Sequence, residues 1–141
     1  MKRTASAEWN GTLKEGKGRI STASGVLADS QYSFSTRFED GIGTNPEELL
    51  AASHAGCFSM ALSAQLTNAG LTPESIRTTA AVSLEKTDAG FTVTKSHLTV
   101  TARVPGASAE AFETAAANAK AGCPISRVLN AEITMEATLE S

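Results

Sequence analysis

Between residues 49 and 73 the chain has twenty-five consecutive positions without a Lys, Arg, Asp or Glu. At helical spacing Leu50, Ser53, His54, Cys57, Met60, Ala61 and Ala64 share one face. Ala51, Ala55, Phe58, Leu62 and Leu66 fill much of the opposite side. A helix that is apolar nearly all round predicts burial nearly all round. The stretch is short for a membrane span and is interrupted by Ser53, His54, Ser59, Ser63 and Gln65. Its ends are marked. Asn45 is a good N-cap, Pro46 suits the first helical position, and Glu47 and Glu48 complement the positive helix end. Gly70 and Pro73 supply the stop.

The flanking patterns read as strands. Residues 4–9, 16–24 and 31–38 predict a three-stranded meander, with Asn10-Gly11 as the first turn. In the third strand Tyr32, Phe34 and Phe38 face one way, which sends Arg37 to the polar side. After the helix, 76–85 and 91–104 predict an antiparallel pair turned at 87–90. The second member changes phase between Val93 and Leu98, the signature of a bulge. Ser108 caps a second helix over 109–121, whose stripe is Phe112, Ala115, Ala116 and Ala119. Cys123-Pro124 opens a short helix through Leu129, and 131–139 alternates as a last strand. The order is βββ-α-ββ-α-β, an α+β class with mainly antiparallel sheet in a single domain over 1–141.

Composition narrows the function. A net charge of −3 with scattered Lys and Arg argues against a nucleic-acid surface. The N-terminal residues carry no apolar run, so no signal peptide is expected and the cytoplasm is the expected compartment. Thiols are kept reduced there. The two cysteines then read as redox or ligand residues rather than a permanent staple. Dinucleotide-binding, phosphate-binding and serine-nucleophile motifs are absent. His54, Cys57, His97 and Cys123 are four zinc-type donors, but no paired CxxC or HxxxH spacing supports a metal.

Cys57 lies mid-helix, where the dipole gives little help and apolar surroundings raise a thiol pKa. A thiolate there needs a cation, and the candidates are His54 on the same face and Arg37 on the preceding strand. Cys123 sits at a helix start with Lys120 and Arg127 near it in sequence. Each residue also has a bland reading. Free cysteines often just pack, His54 reads more readily as a hydrogen-bonded core residue than as a catalyst, and Glu47 reads as a helix-start charge. On the residues alone, a non-catalytic binding or stress protein with structural cysteines stays open beside a redox enzyme.

Four runs carry a resemblance. Residues 44–62, TNPEELLAASHAGCFSMAL, and 121–126, AGCPIS, resemble the two cysteine motifs of the OsmC/Ohr family of thiol peroxidases. Thr36-Arg37-Phe38-Glu39 and Asp88-Ala89-Gly90-Phe91 also fit, in the same order along essentially the whole chain. His54 and the Gly-Cys-Pro-Ile-Ser run look more like the OsmC branch than the Ohr branch. The resemblance implies an OsmC-like fold, an intertwined homodimer with sites at the subunit interface, and reduction of organic hydroperoxides without metal or flavin. It implies that Cys57 is the peroxidatic thiol and Cys123 the resolving thiol, joined as a disulfide during turnover. Arg37 would activate Cys57 and Glu47 would orient Arg37, while whether His54 backs them or merely packs beside Cys57 stays open. An external dithiol, of the lipoyl type, would restore the thiols; no nucleic acid or membrane is implied. Glu47 and Cys57 are ten positions apart, about 15 Å along a continuous helix. Either the helix is broken or Glu47 of one subunit serves Cys57 of the other, and the second is the expectation.

Overall fold

Turn chemistry and capping set the first part of the chain. In the computed structural model, which describes residues 1–140, strands β1 (Ala5–Asn10), β2 (Lys17–Thr22) and β3 (Ser30–Tyr32) pair antiparallel in the order β1-β2-β3. Gly18 pairs with both Trp9 and Tyr32, whose rings meet with centroids 5.5 Å apart. A Cβ at Gly18 would lie 2.3 Å from the Tyr32 ring, so only glycine fits between the two aromatics.

The third strand is shorter than its alternation predicts. It stops at Tyr32, and Phe34–Phe38 form a short helix, α1. Alternation and helical spacing agree at positions 34 and 38, so hydrophobic pattern cannot separate them. The capping box separates them. Ser33 Oγ accepts from the Thr36 amide, and Thr36 Oγ1 accepts from the Ser33 amide at 2.8 Å. Phe34 and Phe38 therefore stack one turn apart, at 5.0 Å, and Arg37 stands on a helix rather than on a strand.

Helix α2 (Pro46–Asn68) begins where its caps predict. Asn45 Oδ1 accepts from the Glu48 amide at 2.8 Å, and Asn45 Nδ2 donates to the Thr36 carbonyl at 3.1 Å, tying this helix start to α1. The helix ends in a Schellman arrangement. Gly70 adopts φ +79°, its amide donates to the Thr67 carbonyl, and the Leu71 amide donates to the Leu66 carbonyl.

The chain divides into two compact units, residues 1–49 and the chain from Leu50 onward. The second unit is built on β4 (Ser75–Thr87), β5 (Gly90–Arg103) and β6 (Glu132–Glu140), with β5 in the middle. β4 and β5 are antiparallel, and the expected bulge is present: Ser83 pairs with Lys95 but Leu84 with Val93, leaving Thr94 extra. β6 runs parallel to β5. The crossover through α3 (Ala109–Gly122) and α4 (Pro124–Val128) returns the chain to the same end of the sheet. So the last pairing departs from the antiparallel majority.

Ser96, Leu98, Val100 and Ala102 are the buried face of β5. Against them pack Phe58, Leu62 and Leu66 of α2, and the expected α3 stripe of Phe112, Ala115, Ala116 and Ala119. Helix α2 is 23 residues long and, by length and composition alone, apolar enough to cross a membrane, so the expectation that it is too short does not hold. Nor is it buried all round. His54, Phe58, Leu62 and Leu66 form one buried stripe at i, i+4 spacing. On the far side Ala52, Gly56, Met60 and Ala64 are exposed, Met60 by 77%. One sheet face can cover only one side of a helix, and among the described residues of the second unit nothing covers the other.

Candidate active site

Arg37 and Glu47 meet within the first unit. The capping box sets α1, the Asn45 clasp fixes the start of α2, and the two side chains close between them. Arg37 Nη2 lies 2.7 Å from Glu47 Oε1, and its Nε donates to both carboxylate oxygens at 3.1 and 3.2 Å. This fork geometry fixes the guanidinium plane as well as its position. Glu47 is only 14% exposed while Arg37 is 38% exposed, so the acid holds the arginine from behind and leaves part of it open.

Cys57 and Cys123 meet in the second unit, and both thiols are free. Cys57 is half-buried on α2, one position from the core residue Phe58. Burial pushes its thiol pKa up. A hydrogen bond from the Ile125 backbone opposes that rise, while a hydrogen bond with the Cys123 side chain and the charge of Cys123 add to it. Cys123 is fully buried at the N-cap of α4, as its Pro124 neighbour predicts. It donates to Ser126 Oγ at 3.2 Å, and its sulfur accepts from the Ser126 amide at 3.3 Å.

His54 is not a cation beside Cys57. It is fully buried, its pKa is lowered by that burial, and both ring nitrogens are engaged by hydroxyls. Nδ1 meets Ser96 Oγ at 2.7 Å and Nε2 meets Ser126 Oγ at 2.8 Å. His97 lies on the other face of β5 from Ser96, against Thr134 Oγ1 at 2.6 Å. The two histidines therefore do not converge with the cysteines on one point.

The two serines were missed by sequence reasoning, though each leaves a mark. Ser96 is a polar residue in phase with Leu98, Val100 and Ala102. Ser126 is the third residue of a helix whose N-cap is Cys123. Phe58, the residue after Cys57, belongs to the core, since it is fully buried with the β5 and α3 residues.

With this arrangement in view, the comparisons with known proteins are decisive for family. The sequence profile of the OsmC-like protein family matches residues 39–138, from the end of α1 into β6. The chain belongs to the OsmC-like family. Peroxiredoxin OsmC of Escherichia coli K12 is 57% identical over 135 residues, covering 96% of this chain and 94% of that protein. Among solved structures, an organic hydroperoxide resistance protein OsmC from Legionella pneumophila is 25% identical with a TM-score of 0.68, covering 98% of this chain and 97% of that one. An OsmC-like protein of unknown function from Vibrio cholerae reaches a TM-score of 0.77 at 18% identity, covering 97% and 99%, and speaks for the fold alone. The OsmC fold thus accounts for the two three-stranded sheets and the long helix.

Proposed function

We propose that this OsmC-family chain is a cysteine-based peroxidase that reduces organic hydroperoxides to alcohols in a reducing cytoplasm. The observation that carries the reading is the pairing of two free thiols, half-buried Cys57 and buried Cys123, joined by a hydrogen bond inside one unit. The names of the relatives point the same way. The Cys57 thiolate attacks one peroxide oxygen, the O–O bond breaks, and the alkoxide leaves as the alcohol. Cys57 becomes a sulfenic acid. Cys123 attacks that sulfur, giving a Cys57–Cys123 disulfide and water. An external dithiol of the lipoyl type restores both thiols by exchange.

The activating cation comes from a second copy of the chain. Arg37 is held by Glu47 near the start of α2, and Cys57 lies ten residues further along that same continuous helix, about 15 Å away. A homodimer in which the partner's Arg37 and Glu47 face Cys57 removes this separation. The same dimer covers the exposed stripe of Ala52, Gly56, Met60 and Ala64. The partner's guanidinium then offsets the burial that raises the Cys57 pKa. It also hydrogen-bonds the peroxide.

One equivalent of cumene hydroperoxide, followed by mass spectrometry, tests the chemistry. The expected product has lost two hydrogens, as an intramolecular disulfide. Cys57→Ser abolishes turnover, and Cys123→Ser stops after one round with an over-oxidisable Cys57. A Cys57→Ser protein that keeps full activity would falsify the assignment.

A further inference from the structure

The proposed chemistry leaves one buried group without work. His54 has no exposed surface, yet both of its nitrogens are bonded and one bond leads to a reacting thiol. The chain of contacts runs from Cys123 Sγ to Ser126 Oγ at 3.2 Å, from Ser126 Oγ to His54 Nε2 at 2.8 Å, and from His54 Nδ1 to Ser96 Oγ at 2.7 Å. The donors fall in one direction. The Cys123 thiol donates to Ser126, which leaves the Ser126 hydroxyl to donate to Nε2 and the Nδ1 hydrogen to be donated to Ser96. In this tautomer Nε2 is a basic nitrogen, one hydroxyl away from the thiol proton.

We infer that His54 is a positioning residue for disulfide closure: through Ser126 it takes up the proton of Cys123 and so presents Cys123 as a thiolate. The inference rests on the reading of Cys123 as the resolving thiol. Cys123 is fully buried, so bulk water does not reach its proton directly, and a thiol attacks only as the thiolate. As the Cys123 proton passes to Ser126 Oγ, the Ser126 proton passes to His54 Nε2. The resulting imidazolium donates to both serines, and the Ser126 hydroxyl turns to donate to the thiolate. Cation and anion are then bridged by one hydroxyl, which offsets the cost of forming them away from water. Burial holds the histidine neutral beforehand, so the base is ready.

The Cys123 thiolate then forms the S–S bond to Cys57 as the sulfenic S–O bond breaks. Cys123 sulfur is oxidised, Cys57 sulfur is reduced, and the hydroxide that leaves takes a solvent proton to become water. The imidazolium returns its proton through Ser126, which lines an open cleft of about 390 Å³ with Lys120, Ile133 and Met135. Nothing is consumed beyond the sulfenic acid and the thiol.

A time course on the full chain separates the steps. The protein receives one equivalent of cumene hydroperoxide, is quenched with dimedone, and is read by mass spectrometry. The unaltered protein is expected to give disulfide with little dimedone adduct. In Ser126→Ala and His54→Gln the sulfenic acid accumulates as adduct, because closure slows by about 10²-fold, the scale of general base catalysis. Ser126→Thr keeps the hydroxyl and restores closure. A merely structural role would lower the melting temperature and leave the adduct-to-disulfide ratio unmoved. If His54→Gln does not fold, Ser126→Ala, which loses a single oxygen, decides alone. Wild-type closure rates in Ser126→Ala, or a Thr variant as slow as the Ala variant, overturn the inference. An unaltered protein that yields neither adduct nor disulfide overturns the underlying reading instead.

Discussion

His54 shows how far a residue's neighbours decide its chemistry. Three positions before a cysteine, it reads either as a candidate cation for that thiol or as a hydrogen-bonded core residue. Folded, it is a neutral core side chain between two serines, with its charge suppressed by burial. The suppression has a sign that can be tested. Its pKa is lowered from 6.5, so on acidification the unfolded chain binds a proton that the folded chain does not. Unfolding is then favoured by protonation, and His54 takes stability away as pH falls below about 6.5. Chemical denaturation at a series of pH values is expected to show this loss, and His54→Gln to flatten it. An equally steep acid limb in the variant would remove His54 as its source.

At the scale of elements, one stripe of α2 holds the second unit together. Phe58, Leu62 and Leu66 lie at i, i+4 spacing over the inner face of β5, and the Ala-rich face of α3 lets that helix approach closely. Phe58→Ala leaves a cavity there and is expected to cost about 3–5 kcal/mol in urea denaturation. Because Cys57 is the next residue, the same variant would also slow peroxide reduction. A loss under about 1 kcal/mol would mean that the helix does not depend on this contact. The two short helices are set by their caps instead. Ser33 with Thr36 overrides the strand pattern around it, and Cys123 with Pro124 starts the second helix where its cap predicts. The Cys123 cap also faces its sulfur toward Ser126, so a local helix signal serves the reactive thiol.

For the whole molecule, the decisive separation is the one along α2. Along the continuous helix from Pro46 to Asn68, the ten positions from Glu47, which holds Arg37, to Cys57 amount to a rise of about 15 Å. Mixing two inactive variants tests whether a second copy bridges this gap. Arg37→Ala and Cys57→Ser are each expected to lack peroxidase activity. After joint refolding, a mixed dimer pairs the Cys57 of the first with the Arg37 of the second and regains activity. No recovery, with mixed dimers verified by native mass spectrometry, would place Arg37 and Cys57 in one subunit and sink the cross-subunit reading.

What the sequence determined by itself was local. The limits of α2, the α3 stripe, the bulge in β5 and the cap at Cys123 all follow from signals within a few residues of one another, because capping, periodicity and turn conformation are local physics. The roles of the two cysteines and the Arg37–Glu47 link came instead only as what the family resemblance implies. The end of β3 at Tyr32 was not legible, because positions 34 and 38 satisfy both strand and helix spacing. Tertiary structure alone decided which side of an almost uncharged helix is buried, since composition cannot choose among equivalent apolar faces. It also decided that Ser96 on β5 and Ser126 on α4 reach His54 from 42 and 72 positions away, a contact made by the parallel crossover and by no pattern in the chain.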